Sequence, residues 1–231
     1  MSRLASRVGS CSVGALGRLL AAIAAAAIVF CSAASLPARA DTPGDFAFYV
    51  LSLSWSPTYC ESNKAKGERL QCGGRPFAFV VHGLWPQYER GYPSDCSSPR
   101  GDGVPRSIVD GMLDIMPSPG LVRHEWRQHG TCSALNQSQY FDLVRRAFET
   151  VKIPERFVAP DTPVTVSPNE VEAAFRAVNP GLMSNAIAVA CDQQRLKEVR
   201  ICLTRSLAFR PCPEVDRGAC RRDRLVMPPV R

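Results

Sequence analysis

Hydrophobic and polar positions change period twice along this chain. From Phe46 to Trp55, aromatic and apolar residues run together, and Leu51, Leu53 and Trp55 alternate with serines, the two-residue period of a strand with one covered face. Phe77-Ala78-Phe79-Val80-Val81 reads as a second strand. It delivers His82 at its end, a strand-to-loop junction where Gly83 and Pro86 break regular pairing. The period then becomes helical. Phe141, Val144, Phe148 and Val151 share one face of a helix over 138–151. Ser167-Pro168-Asn169-Glu170 is a capping box with proline at the first helical position, opening a second helix that ends near Asn179-Pro180-Gly181. Ala186 to Ala190 and Leu196 to Leu203 return to strands, joined by a short polar turn. Helices between early and late strands predict an α+β fold, a single domain whose central, largely antiparallel sheet packs against helices. Phe46, Phe48 and Trp55 are assigned to the core. No internal repeat, low-complexity tract or interdomain linker interrupts the pattern.

The N-terminus does not belong to that pattern. Residues 1–40 hold no acid, carry Arg3, Arg7 and Arg18 ahead of an apolar run from Leu19 to Phe30, and end in Ala38-Arg39-Ala40. This is the layout of a secretory signal peptide cleaved before Asp41, leaving a domain over 41–231. The run falls short of the ~20 apolar residues of a spanning helix, so no membrane anchor is expected once it is removed. Its loss takes Cys11 and Cys31 with it and reduces 28 basic residues to 24 against 21 acidic ones, so the formal charge drops from +7 to +3. A mildly basic surface tolerates a polyanion but lacks the dense basic runs that hold nucleic acid by charge alone. Arg221-Arg222-Asp223-Arg224 is the one local cluster and reads as a solvated tail. The eight cysteines that remain imply four disulfides and an oxidising compartment, secreted or periplasmic, with about 105 pairings open on spacing alone. No two of them are close enough for the paired ligands of a zinc site, and no metal or cofactor is expected. Asn136-Gln137-Ser138 is a glycosylation sequon only in a eukaryotic host, and the arginine-rich composition leans bacterial.

Candidate chemistry concentrates in the histidines. All three lie in two short segments, Val81-His82-Gly83-Leu84-Trp85-Pro86 and His124-Glu125-Trp126-Arg127-Gln128-His129-Gly130-Thr131-Cys132. Imidazole titrates between pH 5 and 8, so this confinement points to proton transfer. Read as a helix at about 100° per residue, the second segment places His124, Gln128, Glu125 and His129 at roughly 0°, 40°, 100° and 140°. Those four share a face, with Trp126 opposite as a core anchor and Gly130-Thr131 ending the helix. A zinc-protease helix needs two histidines one turn apart; here the spacing is five.

The two segments resemble the paired active-site motifs of the ribonuclease T(2) family of secreted ribonucleases. Similarity extends to Leu53-Ser54-Trp55-Ser56-Pro57-Thr58-Tyr59-Cys60 before them and Leu196-Lys197-Glu198-Val199-Arg200-Ile201-Cys202-Leu203 after them. The resemblance implies disulfides Cys60–Cys72, Cys96–Cys132, Cys191–Cys220 and Cys202–Cys212. It also implies a metal-independent endoribonuclease that cleaves single-stranded RNA, leaves DNA intact and acts as a monomer. RNA carries its own nucleophile in the 2′-hydroxyl. His82, Glu125 and His129 are the expected catalytic residues, His129 as base, His82 as acid and Glu125 beside the phosphorus. The expected phosphate-binding residues are His124 and Gln128. Activity is expected to follow a bell in pH on the acidic side.

Gln128 departs from the family, which usually places lysine there to stabilise the phosphoryl transition state. Replacing a charge-assisted contact with a neutral one forfeits ~1.5–3 kcal/mol, roughly ten- to a hundredfold in rate. Arg127 lies about 60° from His124 around the helix and is a candidate to reach the phosphate from the edge. For base binding, Trp85, Gln87 and Tyr92 follow His82 closely, and an aromatic face can stack a base at ~1–3 kcal/mol. The rival reading is a secreted RNA-binding or signalling protein of the same fold with little turnover, which Gln128 favours and the intact His82, Glu125 and His129 oppose.

Overall fold

A computed structural model of the chain describes residues 40–62, 68–99 and 101–231. The expected signal segment, apart from Ala40, lies outside the described residues. The sheet is organised around one long strand, β5 (Arg195–Leu203), which pairs antiparallel with β1 (Phe48–Trp55) on one side and β4 (Ile187–Asp192) on the other. β2 (Phe79–Gln87) pairs antiparallel with β1 and forms one edge. β6 (Leu225–Met227) joins the start of β5 in parallel, and β3 (Val164–Val166) pairs antiparallel with β6. The sheet is therefore largely antiparallel, as the period-two runs predict.

Alternation along the strands gives the sheet two unlike faces. Tyr49, Leu51, Leu53 and Trp55 of β1 and Val199, Ile201 and Leu203 of β5 enter the main core. There they meet Tyr140, Phe141 and Val144 of one helix, α5 (Gln137–Thr150), and Val171 and Phe175 of another, α6 (Pro168–Val178). On the other face Phe48, Val50, Cys202 and Cys212 make a small cluster against which Trp85 packs. The same face continues through Ser52, opposite Arg200, and Ser54, opposite Glu198. Phe46, Phe48 and Trp55 are all buried as expected, Phe46 and Trp55 in the main core and Phe48 in the smaller cluster.

The capping box at Ser167 and Glu170 forms as expected and opens α6 with Pro168 in its first turn. α5 begins with a second capping box, between Asn136 and Gln139. The strand expected to end at Val81 instead runs to Gln87. Ser52 pairs with Gly83 and Leu53 with Val81, so His82 is the extra residue of a β-bulge. Pro86 costs no ladder bond because β2 is an edge strand. The sequence pattern did not predict the short helices α1 (Ser56–Cys60), α2 (Arg69–Cys72), α3 (Arg106–Met112) and α7 (Pro213–Arg217), nor β3 and β6.

Four disulfides, Cys60–Cys72, Cys96–Cys132, Cys191–Cys220 and Cys202–Cys212, match the pairing that the resemblance implied. They close loops of 10 to 36 residues, each contributing on the order of 3 kcal/mol in the chain-entropy model. Among the described residues no helix is long and apolar enough to cross a membrane.

Candidate active site

The helix bearing the second histidine segment, α4 (Pro119–Gln128), starts five residues earlier than His124. Ser118 caps it by accepting from the Leu121 backbone N–H at 3.2 Å, and Pro119 sits in its first turn. Val122 and Trp126, one turn apart, are fully buried and fix its rotation. Trp126 also donates to the Gly101 carbonyl at 3.1 Å. Glu125, next to Trp126, is consequently buried at 1% exposure.

The shared polar face expected over 124–129 does not form. His129 leaves the helix: it is the C-cap, at φ −131°, and Gly130–Ser133 turn in a 3-10 helix. The turn packs tightly against Trp126 and Tyr140. A Cβ on Gly130 would stand 2.4 Å from the Trp126 ring and 3.0 Å from Tyr140, so only glycine passes there. Cys132, bonded to Cys96, ties down the turn that follows. Glu125 and His129 are thereby directed inward, while His124, Arg127 and Gln128 stay exposed.

Bulge and helix end converge on one carboxyl group. His82 Nε2 lies 3.9 Å from Glu125 Oε1, and His129 Nε2 lies 3.9 Å from Glu125 Oε2. Trp85 stands between the rings, its centroid 5.3 Å from that of His82 and 5.5 Å from that of His129, and donates Nε1–H to Glu125 Oε2 at 2.8 Å. This contact requires glycine at position 83, since a Cβ there would fall 1.9 Å from Glu125 Oε2.

Charges around the three groups drive them apart. Burial raises the Glu125 carboxyl to about 7, against the opposing pull of His82 and the Trp85 hydrogen bond. Burial also lowers His129 to about 4, helped by its neighbours His124 and His82. For His82, burial acts downward but is outweighed by the hydrogen bond and charge of Glu198 and the charge of Glu125, so its pKa is raised. His124 is lowered by partial burial, by Arg127 and by His82. One imidazole thus favours the protonated form and the other the neutral one.

Glu198 was not among the residues singled out in the sequence. It accepts a hydrogen bond from His82 Nδ1 at 2.9 Å and is fully buried. Its signal was a lone acid inside the strand segment Leu196 to Leu203, on the same alternation as Arg200. Of the residues considered for base contact, Trp85 and Gln87 line a hollow of about 180 Å³ together with Tyr88, Arg200 and Glu214. Tyr92 is 61% exposed and does not line it, although Gly91 beside it does. A larger hollow of about 300 Å³ opens on the other side of His82, between Thr58, Ser118, Lys197 and Glu198.

The Ribonuclease T2 family model matches residues 46–212, a span holding both histidine segments and Glu198. The chain belongs to this family. It is 47% identical over 100 residues to a ribonuclease of Aeromonas hydrophila, covering 43% of this chain and 44% of that protein. It is 35% identical over 138 residues to a probable ribonuclease of Haemophilus influenzae, covering 53% of this chain and 49% of that one. The chain thus spans somewhat under half the length of these two relatives. The structure of RNase NT in complex with 5′-AMP shares the fold at a TM-score of 0.60 and 23% identity, covering 80% of this chain and 99% of that one. Within this Ribonuclease T2 member Gln128 is exposed at the end of α4. The Arg127 charge is close enough to lower His124.

Proposed function

We propose that this chain is a secreted or periplasmic endoribonuclease that cleaves single-stranded RNA by transphosphorylation, without a metal ion. The observation that carries this reading is the pair of oppositely perturbed imidazoles on the two oxygens of one carboxyl group. His129, neutral at mildly acidic pH, accepts the proton of the 2′-hydroxyl through Nε2. The 2′-oxygen bonds to phosphorus, the P–O5′ bond breaks, and His82 Nε2 delivers its proton to the departing 5′-oxygen. The product is a 2′,3′-cyclic phosphate, which water opens with the two roles exchanged. Glu125, largely protonated below about 7, sits where the crowded phosphorus intermediate gathers charge and donates to its oxygens. His124 and Gln128 bind the phosphate from the exposed side of α4, and Arg127 reaches it from the edge.

The hollow holding Trp85, Gln87 and Tyr88 is of single-base size and takes one base. The one beside Lys197 takes the base across the scissile bond. The four disulfides and the acid-free N-terminal segment, read as a signal peptide removed before Asp41, support export to an oxidising compartment. The exposed, uncharged Gln128 favours the second reading, a binder of the same fold that turns over little. Incubation of the purified protein with RNA in excess chelator separates the readings. Cyclic-phosphate ends are expected, with DNA untouched. Polymer left whole in chelator would sink the metal-free mechanism, and polymer left whole with or without added divalent metal would favour the binder.

A further inference from the structure

The described surface holds one buried charged group that the proposed mechanism leaves unused. Glu198 lies at the centre of β5, opposite Ser54 of β1, with its side chain 1% exposed. Both oxygens are fully engaged. Oε2 accepts two bonds from Arg200, at 3.1 Å from Nε and 2.8 Å from Nη2, and Oε1 faces Lys197 Nζ at 3.3 Å and His82 Nδ1 at 2.9 Å. Burying a carboxylate with its partners is weak evidence for stability, because desolvation offsets most of the attraction and an apolar replacement often serves as well. A carboxylate held at both oxygens and aimed at one ring nitrogen does something an apolar side chain cannot. It selects the hydrogen-bonded tautomer and fixes the ring plane.

We infer that Glu198 is the positioning residue of His82: it holds the ring by Nδ1–H, so that Nε2, the nitrogen facing Glu125, carries the proton exchanged with RNA. The inference rests on the reading of His82 as the acid. With both oxygens taken up by His82, Lys197 and Arg200, Glu198 acts through His82. Arg200 in turn holds Glu198 and lies 5.3 Å over the Trp85 ring, so the positioning set shares a wall with the base hollow.

The other ionisable groups facing His82 are Glu125 and, more weakly, His124 and His129 from the α4 side, and Lys197 from β5. Asp192 of β4 lines the same hollow as Lys197. Among these, Glu125 is the carboxyl left near His82 once Glu198 is neutralised. The Glu125 carboxyl is itself largely protonated at mildly acidic pH. Glu198→Gln keeps an acceptor for Nδ1–H and removes the charge. The His82 titration followed by NMR should then fall by roughly one pH unit or more. The alkaline limb of kcat on a dinucleoside monophosphate should move down by the same amount, with kcat reduced roughly tenfold and KM nearly unchanged.

The imidazole ¹⁵N shifts of the unaltered protein above the His82 titration give a readout that needs no variant. The Nδ1–H tautomer is expected. A dominant Nε2–H tautomer, or a folded Glu198→Gln protein whose His82 titration and alkaline limb stay in place, would overturn the inference. Tautomer and titration are read without RNA. An Nδ1–H tautomer in a protein that cleaves no RNA would therefore reject the proposed function while leaving the Glu198–His82 relation standing.

Discussion

Gly83→Ala tests the site at its tightest point. The added methyl would stand 1.9 Å from Glu125 Oε2, 2.3 Å from Trp85 Nε1 and 2.7 Å from Glu125 Cδ. Ordinary contact begins near 3.4 Å, so the carboxyl oxygen must retreat by about 1.5 Å. It has little room to do so, because the Glu125 side chain is 2% exposed and Trp126 beside it is fully buried. The methyl therefore enters the 2.8 Å hydrogen bond between Trp85 and Glu125 and separates the partners. A buried acceptor left without its donor costs about 1–3 kcal/mol, or roughly 2–12 °C in melting temperature for a domain of this size. A misplacement of ~1 Å at a reacting group costs about a hundredfold in rate.

The expected result is a folded protein with an intact disulfide set, a lowered melting temperature and kcat/KM on a dinucleoside monophosphate reduced about a hundredfold. If the methyl acts by displacing Glu125, the loss should not multiply with removal of that side chain. In a Glu125→Ala background, where the carboxyl is gone and Trp85 is free to tilt, adding Gly83→Ala should change kcat/KM by less than about threefold. Near-normal turnover in the single variant, or full multiplication in the double, would refute the placement of Glu125 between the two imidazoles.

The pH profile of kcat/KM should be a bell, rising as His129 loses its proton near pH 4 and falling above the ordinary imidazole value as His82 loses its own. A flat profile from pH 4 to 9 would contradict the acid–base assignment. Gln128→Lys should raise turnover ten- to a hundredfold by restoring a charge-assisted phosphate contact. No gain in stopped-time assays would mean that Arg127 or another group already compensates. Stability should also respond to His129. Its folded value of about 4 lies below the unfolded value of about 6.5, so the unfolded chain takes up the proton first and stability falls as pH drops from 6.5 towards 4. The contribution is on the order of 3 kcal/mol. Urea unfolding of His129→Asn across this window should show a shallower loss than the unaltered protein, and an identical slope would reject the depressed value.

Much of this arrangement is legible one residue at a time. Alternation identifies β1 and β5, and Ser167 with Glu170 marks the start of α6, because strand period and capping chemistry are local. Ser118-Pro119 opens α4 by the same chemistry, but Leu121 occupies the place of the acid and Gly120 weakens the helical signal. The capping box of Asn136 and Gln139 is spelled out in the chain, yet Asn136-Gln137-Ser138 also spells a sequon, and both readings fit the same letters.

What needs partners across the sheet is not local. The bulge at His82 exists only against the register of β1, and Glu198 resembles a surface charge between Lys197 and Arg200 until β1 covers it. Tyr88 and Tyr92 are equally plausible neighbours of Trp85 along the chain. The turn closed by Tyr88 and Gly91 keeps Tyr88 at the hollow and leaves Tyr92 exposed outside it.

The contrast between the two imidazoles follows from the kind of element that presents each one. His82 protrudes from a bulge over the polar face of the sheet, where the next strand but one supplies Glu198 from below. A bulge frees the ring from pairing constraints while the sheet fixes the distance to its carboxylate, so burial is outweighed and the proton is retained. His129 ends a helix, with the Trp85 ring against it and, among the described residues, Glu125 as its ion-pair partner at 3.9 Å. Because burial has also largely neutralised Glu125, this carboxyl offers His129 little charge, and desolvation prevails. A single neutralised acid can thus stand between an acid and a base without making them alike. Exchanging the sheet-borne carboxylate for an amide should therefore narrow the pH window from its alkaline side and leave the limb near pH 4 in place.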